Sequence, residues 1–116
     1  MAYQFIKTEY LETISGGDKE IIRELSSMFR EQIVEIAGEM KVCLAKRDYH
    51  SLGMLAHKAK SSVAIVGMSD LAIMLKTFES EGKEGKNIEN YENYITRFEK
   101  ETNQAAGELA IFARDL

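Results

Sequence analysis

Two residues one helical turn apart, His57 and Lys60, are the pair in this sequence best suited to chemistry. A neutral imidazole nitrogen is a competent nucleophile near pH 7. A lysine three residues further along a helix reaches the same side and offsets the charge of phosphoryl oxygens. The chemistry implied is phosphoryl transfer through His57, which needs mainly positioning and charge stabilisation. The chain has no Gly-rich phosphate loop, no nucleotide-binding motif and no convincing set of metal ligands. The phosphoryl source and any metal are therefore expected on a partner. The chain itself is expected to be a carrier, not an enzyme.

The setting of His57 supports this reading. At about 100° per residue, the stripe Leu52, Leu55, Ala59, Val63 and Val66 centres roughly 200° from His57. The imidazole is therefore expected to point away from the core. His50, Gly53, Met54, Ser61 and Ala64 lie within about 60° of it. An outward face is ordinarily charged and long-chained; this one is small, which leaves the ring accessible to another protein. His50 sits near the helix start without a lysine three residues on, and reads as a surface or capping-turn residue. Residues 41–67 carry Lys41, Lys46, Arg47, Lys58 and Lys60 against Asp48 alone, so a chain of net charge −4 holds +4 here and −8 elsewhere. A partner with an acidic pocket is steered to that end.

The elements that must hold this pair are helical. Apolar residues recur at three and four: Ile22, Leu25, Phe29, Ile33, Ile36, Met40 and Cys43, then Leu71, Leu75 and Phe78. In the last segment Ile88, Tyr91, Ile95, Phe98, Thr102, Ala105, Leu109 and Phe112 form an a/d seam. Gly16-Gly17 with Asp18 as the next cap, Arg47-Asp48, Gly67 with Ser69 as cap, and the loop-like GKEGKN at 82–87 with Asn87 as cap punctuate the chain. The spacing predicts a short helix near 8–15 and longer ones near 18–46, 49–66, 69–82 and 88–113. The economical fold is all-α: an antiparallel up-down-up-down four-helix bundle with a short additional N-terminal helix, as a single domain over 1–116. The absence of Pro permits such long helices.

Composition narrows the rest. The 116 residues include one Cys, which excludes an internal disulfide and a Cys-based zinc site and suits a cytoplasmic protein. Cys43 reads as a core residue. No apolar run approaches a membrane span, and the N-terminal sequence does not read as a signal peptide. The acidic excess argues against nucleic acid as the main partner.

The run Ala56-His57-Lys58-Ala59-Lys60-Ser61-Ser62, followed by Gly67, Leu71, Leu75 and Glu79, resembles the histidine-containing phosphotransfer (HPt) domains of two-component phosphorelays. Gly17-Asp18, Glu24-Leu25, Phe29 and the Asp48…Leu52…Ala56-His57 spacing extend the resemblance, which covers about residues 8–82. It implies a four-helix bundle with the phospho-accepting histidine exposed. His57 would take a phosphoryl group from the aspartyl phosphate of one response-regulator receiver domain and pass it to another. Lys60 and Ser61 would lie at the phosphoryl group, and Mg²⁺ would belong to the receiver, so the chain needs no cofactor of its own. A hybrid sensor histidine kinase is the implied source. The isolated domain is expected to be a monomer. Expected docking residues are Ile14, Ile21, Leu25, Met28, Gly53, Met54, Ala64 and Gly67. Two positions depart from the family. Ala59 stands where Leu is usual, at a core site that Met74 or Phe78 is placed to fill. Ser61 stands where Gly is usual; it either crowds a receiver or bonds a phosphoryl oxygen. Two other readings are an HPt-like module that regulates a receiver or kinase by binding alone, and a purely structural helical bundle.

Overall fold

The computed structural model describes residues 3–116, and among them the regular structure is entirely helical. The helices are α1 (Thr8–Ser15), α2 (Lys19–Ala45), α3 (Tyr49–Ile65), α4 (Ser69–Glu84) and α5 (Tyr91–Arg114), the last preceded by a 3-10 turn at Ile88–Asn90. Every expected helix is present, with ends within three residues of the sequence reading; the largest difference is at the start of α5, expected at residue 88 and found at Tyr91.

Local chemistry explains most boundaries. Gly16 ends α1 in the left-handed region at φ 63°, and Asp18 caps α2 by accepting from the backbone of Glu20 and Ile21. Asp48 caps α3 by accepting from Ser51 N–H. Three sequence expectations are corrected. The cap residue of α4 is Met68, and Ser69 is already helical. Gly82 lies inside α4, which runs on to Glu84 and ends at Gly85 with φ 65°. Asn87 makes no side-chain cap; its amide donates to the Glu81 carboxylate, at 2.6 Å.

One core unites the long helices. Phe29, Ile33, Ile36 and Met40 of α2 meet Leu52, Ala56, Ala59 and Val63 of α3, Leu71, Leu75 and Phe78 of α4, and Tyr91, Ile95, Phe98 and Leu109 of α5. Burying each large side chain contributes about 1.5–3 kcal/mol. The seam of α5 is buried from Tyr91 to Leu109; Ile88 is 41% exposed and Phe112 half-buried. Thr102 tolerates burial because its hydroxyl donates to the Phe98 carbonyl at 2.6 Å. Cys43 packs half-buried against the core, and burial pushes its thiol up, away from the reactive thiolate form. Ala59, Met74 and Phe78 are all buried.

Two features fix how α3 meets its neighbours. A side chain at Gly53 would lie 2.9 Å from the Glu79 carbonyl oxygen and 2.9 Å from the Lys83 nitrogen; one at Gly82 would lie 2.8 Å from Gly53 N. The two glycines therefore let the α3 and α4 backbones touch. The N-terminal segment forms a clasp: Glu108 of α5 accepts from Phe5 N–H (2.9 Å) and Ile6 N–H (3.2 Å), and Lys7 N–H donates to Val66 O at 2.9 Å.

Candidate functional site

The glycine contact brings Glu79 of α4 beneath His57 of α3. The side chain of His57 is 57% exposed, that of Glu79 15%. Nδ1 of His57 lies 3.1 Å from each carboxylate oxygen of Glu79. Lys60 Nζ donates to Oε1 at 3.1 Å and Lys83 Nζ to Oε2 at 2.8 Å. The Lys83 ammonium foremost, then Lys60 and His57, hold the Glu79 carboxyl down at about 2 against the opposing effect of burial. Glu79 is therefore an anion that only accepts hydrogen bonds.

This geometry favours one tautomer of the neutral ring. A neutral imidazole has one N–H, and a carboxylate at Nδ1 keeps it there. Nε2 then carries the lone pair, and no hydrogen bond engages it among the described residues. The arrangement is an exposed nitrogen nucleophile backed by an anion and flanked by ammonium groups. Beside it, a shallow depression is lined by Lys60, Lys76, Glu79, Ser80 and Lys83.

The sequence reading of this face needs three corrections. The buried residues of α3 are Leu52, Gly53, Ala56, Ala59, Ser62 and Val63, so its covered arc reaches to within about 40° of His57. His57 is thus not opposite the core; it stands at the edge of α3 that meets α4. Gly53 is buried against α4 and offers nothing to a docking partner. Gly67 is buried as well, at φ 84°, with the Lys7 side chain lying over it. Both glycines serve the packing of this chain.

The remaining docking residues have varied settings. Ile14, Ile21, Met28, Met54, Ser61 and Ala64 are exposed, and Leu25 is half-buried. Leu25 and Met28 share a groove with Ile65 and Ser62 between α2 and α3. Ser62 closes its inner side by donating to Gln32, at 2.9 Å. His50 is exposed, in keeping with the reading as a surface residue. Lys41 of the basic stretch is paired with Glu99 at 2.7 Å. Sequence reasoning missed Lys83 and the part played by Glu79. Their i,i+4 spacing on α4 marks them as an ion pair, but not as the floor beneath a histidine of another helix.

The low titration point of Glu79 has a measurable consequence. Its carboxyl titrates about 2 in the folded chain, below its ordinary 4.5. The stability it contributes is therefore complete above pH 4.5 and is lost as pH falls toward 2. Urea unfolding of Glu79→Gln between those limits is expected to lack this slope, while wild type shows it. Equal slopes in the two proteins would show that Glu79 is not held ionised.

Among the described residues no helix is long and apolar enough to cross a membrane. Comparison with protein-family models, with curated proteins and with solved structures yields no match to this chain.

Proposed function

We propose that this chain is a phosphorelay carrier, an HPt-like module in which His57 Nε2 accepts a phosphoryl group from the aspartyl phosphate of a receiver domain and returns it to the aspartate of another. The observation that carries the reading is the Glu79 carboxylate at His57 Nδ1. It leaves the exposed ring nitrogen as the nucleophile without any further base. The sequence likeness around His57 and Lys60 points the same way.

In the forward step the Nε2 lone pair forms the N–P bond while the P–O bond to the aspartyl carboxylate breaks. The carboxylate leaves with the electron pair. No proton moves, so the ring, still protonated at Nδ1, becomes cationic and rests on the Glu79 anion. The return step is the reverse with a second receiver. Lys60, one turn along α3, offsets the phosphoryl charge, and Ser61 stands exposed beside it. Mg²⁺ and the acidic pocket belong to the receiver.

We further infer the up-down-up-down antiparallel order for the four long helices, a monomeric state, a cytoplasmic location, and a hybrid sensor histidine kinase upstream. The exposed Ile14, Ile21, Met28, Met54 and Ala64, with Leu25, form the docking face.

The test is transfer itself. A receiver domain charged with a small phosphodonor, then mixed with this chain, is expected to lose its aspartyl phosphate as acid-labile, alkali-stable phosphate appears on the chain. Receiver binding without transfer would leave a binding-only regulator as the better reading. Neither binding nor transfer would leave a structural bundle.

A further inference from the structure

Three groups converge on Glu79, and they are not equivalent. His57 and Lys60 belong to α3, whereas Lys83 shares α4 with the carboxylate, one turn along. Its contact is the shortest of the set, 2.8 Å against 3.1 Å for the others. Its stem also has a dedicated place. The Lys83 Cγ lies 2.9 Å from where a Gly53 side chain would begin, so the chain runs through the notch that this glycine leaves open. Lys83 is the foremost cause of the low titration point of Glu79.

We propose that Lys83 is a positioning residue for phosphoryl transfer: seated in the Gly53 notch, it anchors Glu79 on the Nδ1 proton of His57 and so frees Lys60 for the phosphoryl group. This rests on the phosphotransfer reading of His57.

Charge bookkeeping gives the reason. Before transfer, one carboxylate is shared by two ammonium groups and a ring N–H. Transfer places a second, stronger anion on Nε2, beside Glu79. Both anions then need a cation. Lys60 stands three residues from His57 on the same helix and turns to the new group by side-chain rotation. Lys83 starts on α4 with its stem packed over Gly53, and remains with Glu79. Without it, Lys60 has to serve both anions, and Glu79 loses its hold on the proton. The ring then drifts toward the Nε2–H form, which has no lone pair on the nitrogen that must attack.

The experiment uses the full chain with ¹⁵N-labelled histidine. The ring nitrogen shifts of His57 are read by NMR at a pH where the ring is neutral, in wild type, Lys83→Met, Lys83→Arg and Lys60→Met. Methionine keeps an unbranched stem in the notch and removes only the charge. Wild type and Lys60→Met are expected to be mainly Nδ1–H. Lys83→Met should raise the Nε2–H to Nδ1–H ratio about fivefold or more, the scale of one charge-assisted hydrogen bond lost, and Lys83→Arg should restore it. Phosphoramidate, a small donor that needs no receiver, should label Lys83→Met more slowly by a similar factor. An unchanged tautomer ratio in Lys83→Met overturns the assignment of Lys83. So does a shift in Lys60→Met of equal size. A wild-type chain labelled neither by phosphoramidate nor by a charged receiver overturns the phosphotransfer reading instead. The tautomer comparison still decides whether Lys83 anchors Glu79 on the ring proton in that case.

Discussion

Replacing His57 by glutamine is expected to abolish phosphoryl uptake completely while leaving the fold intact. The amide nitrogen of glutamine has its lone pair delocalised into the carbonyl and does not attack phosphorus. The side chain is similar in reach and still donates to Glu79, so the cluster on α4 keeps its occupant. His57 is mostly solvent-exposed, and substitutions at such positions shift stability by about 0.5 kcal/mol or less. Incubation with a charged receiver should therefore give no acid-labile phosphate above background, with an unchanged helical circular dichroism spectrum. His50→Gln is the matched control. His50 is exposed on the same helix but has no carboxylate partner among the described residues, so this variant should be labelled as wild type is. Label on His57→Gln, or its loss in His50→Gln alone, would move the acceptor away from His57.

Two glycine-to-alanine changes are expected to have opposite signs. At Gly107, in α5, an added side chain meets nothing within 4 Å. Alanine there gains helix propensity, about 0.5–1 kcal/mol. At Gly53 the same methyl group would sit 2.9 Å from two backbone atoms of α4, the Glu79 oxygen and the Lys83 nitrogen. Backbone has little room to yield, so α3 and α4 must separate, and such overpacking costs about 1–3 kcal/mol. Denaturant midpoints of the two variants should bracket wild type. Gly53→Ala carries a second effect that stability alone does not report. As α4 recedes, Glu79 withdraws from His57, and phosphoryl uptake should fall more than the unfolded fraction explains. If both variants are stabilised alike, the close contact between the helices is not as described.

The difference between these glycines shows where sequence reading reaches its limit. Helix existence and length follow from local periodicity and from caps such as Asp18 and Asp48, so five helices were legible. The buried seam of α5 was legible as well, save at its ends, where Ile88 and Phe112 run out of neighbours to pack against. The wheel of α3 placed Gly53 and His57 on one side correctly. It had no means of showing that α4 lies against Gly53. Whether a small residue is an apron for a partner or a notch for a neighbouring helix depends on a contact about thirty residues distant in sequence. For the same reason His57 and Lys60 stood out as a pair within one helix, whereas their shared anion Glu79 and its anchor Lys83 lie in another. Ser69 lost the cap of α4 to Met68 at the tight turn through Gly67, where Gly67 N–H donates to Ala64 O and Met68 N–H to Val63 O.

The clasp made by residues 5–7 changes what counts as the transplantable unit of this fold. The likeness in sequence begins near residue 8 and ends near residue 82, which suggests a cassette of that extent. Yet Glu108 on α5 holds the backbone of Phe5 and Ile6, and Lys7 joins the turn after α3. A segment with no likeness at either end thus ties the last helix to the turn that orients α4, and through α4 to Glu79. A graft into another protein has to reach at least from Phe5 to Glu108 to keep these contacts. The borders of the recognisable motif are not the borders of the working piece.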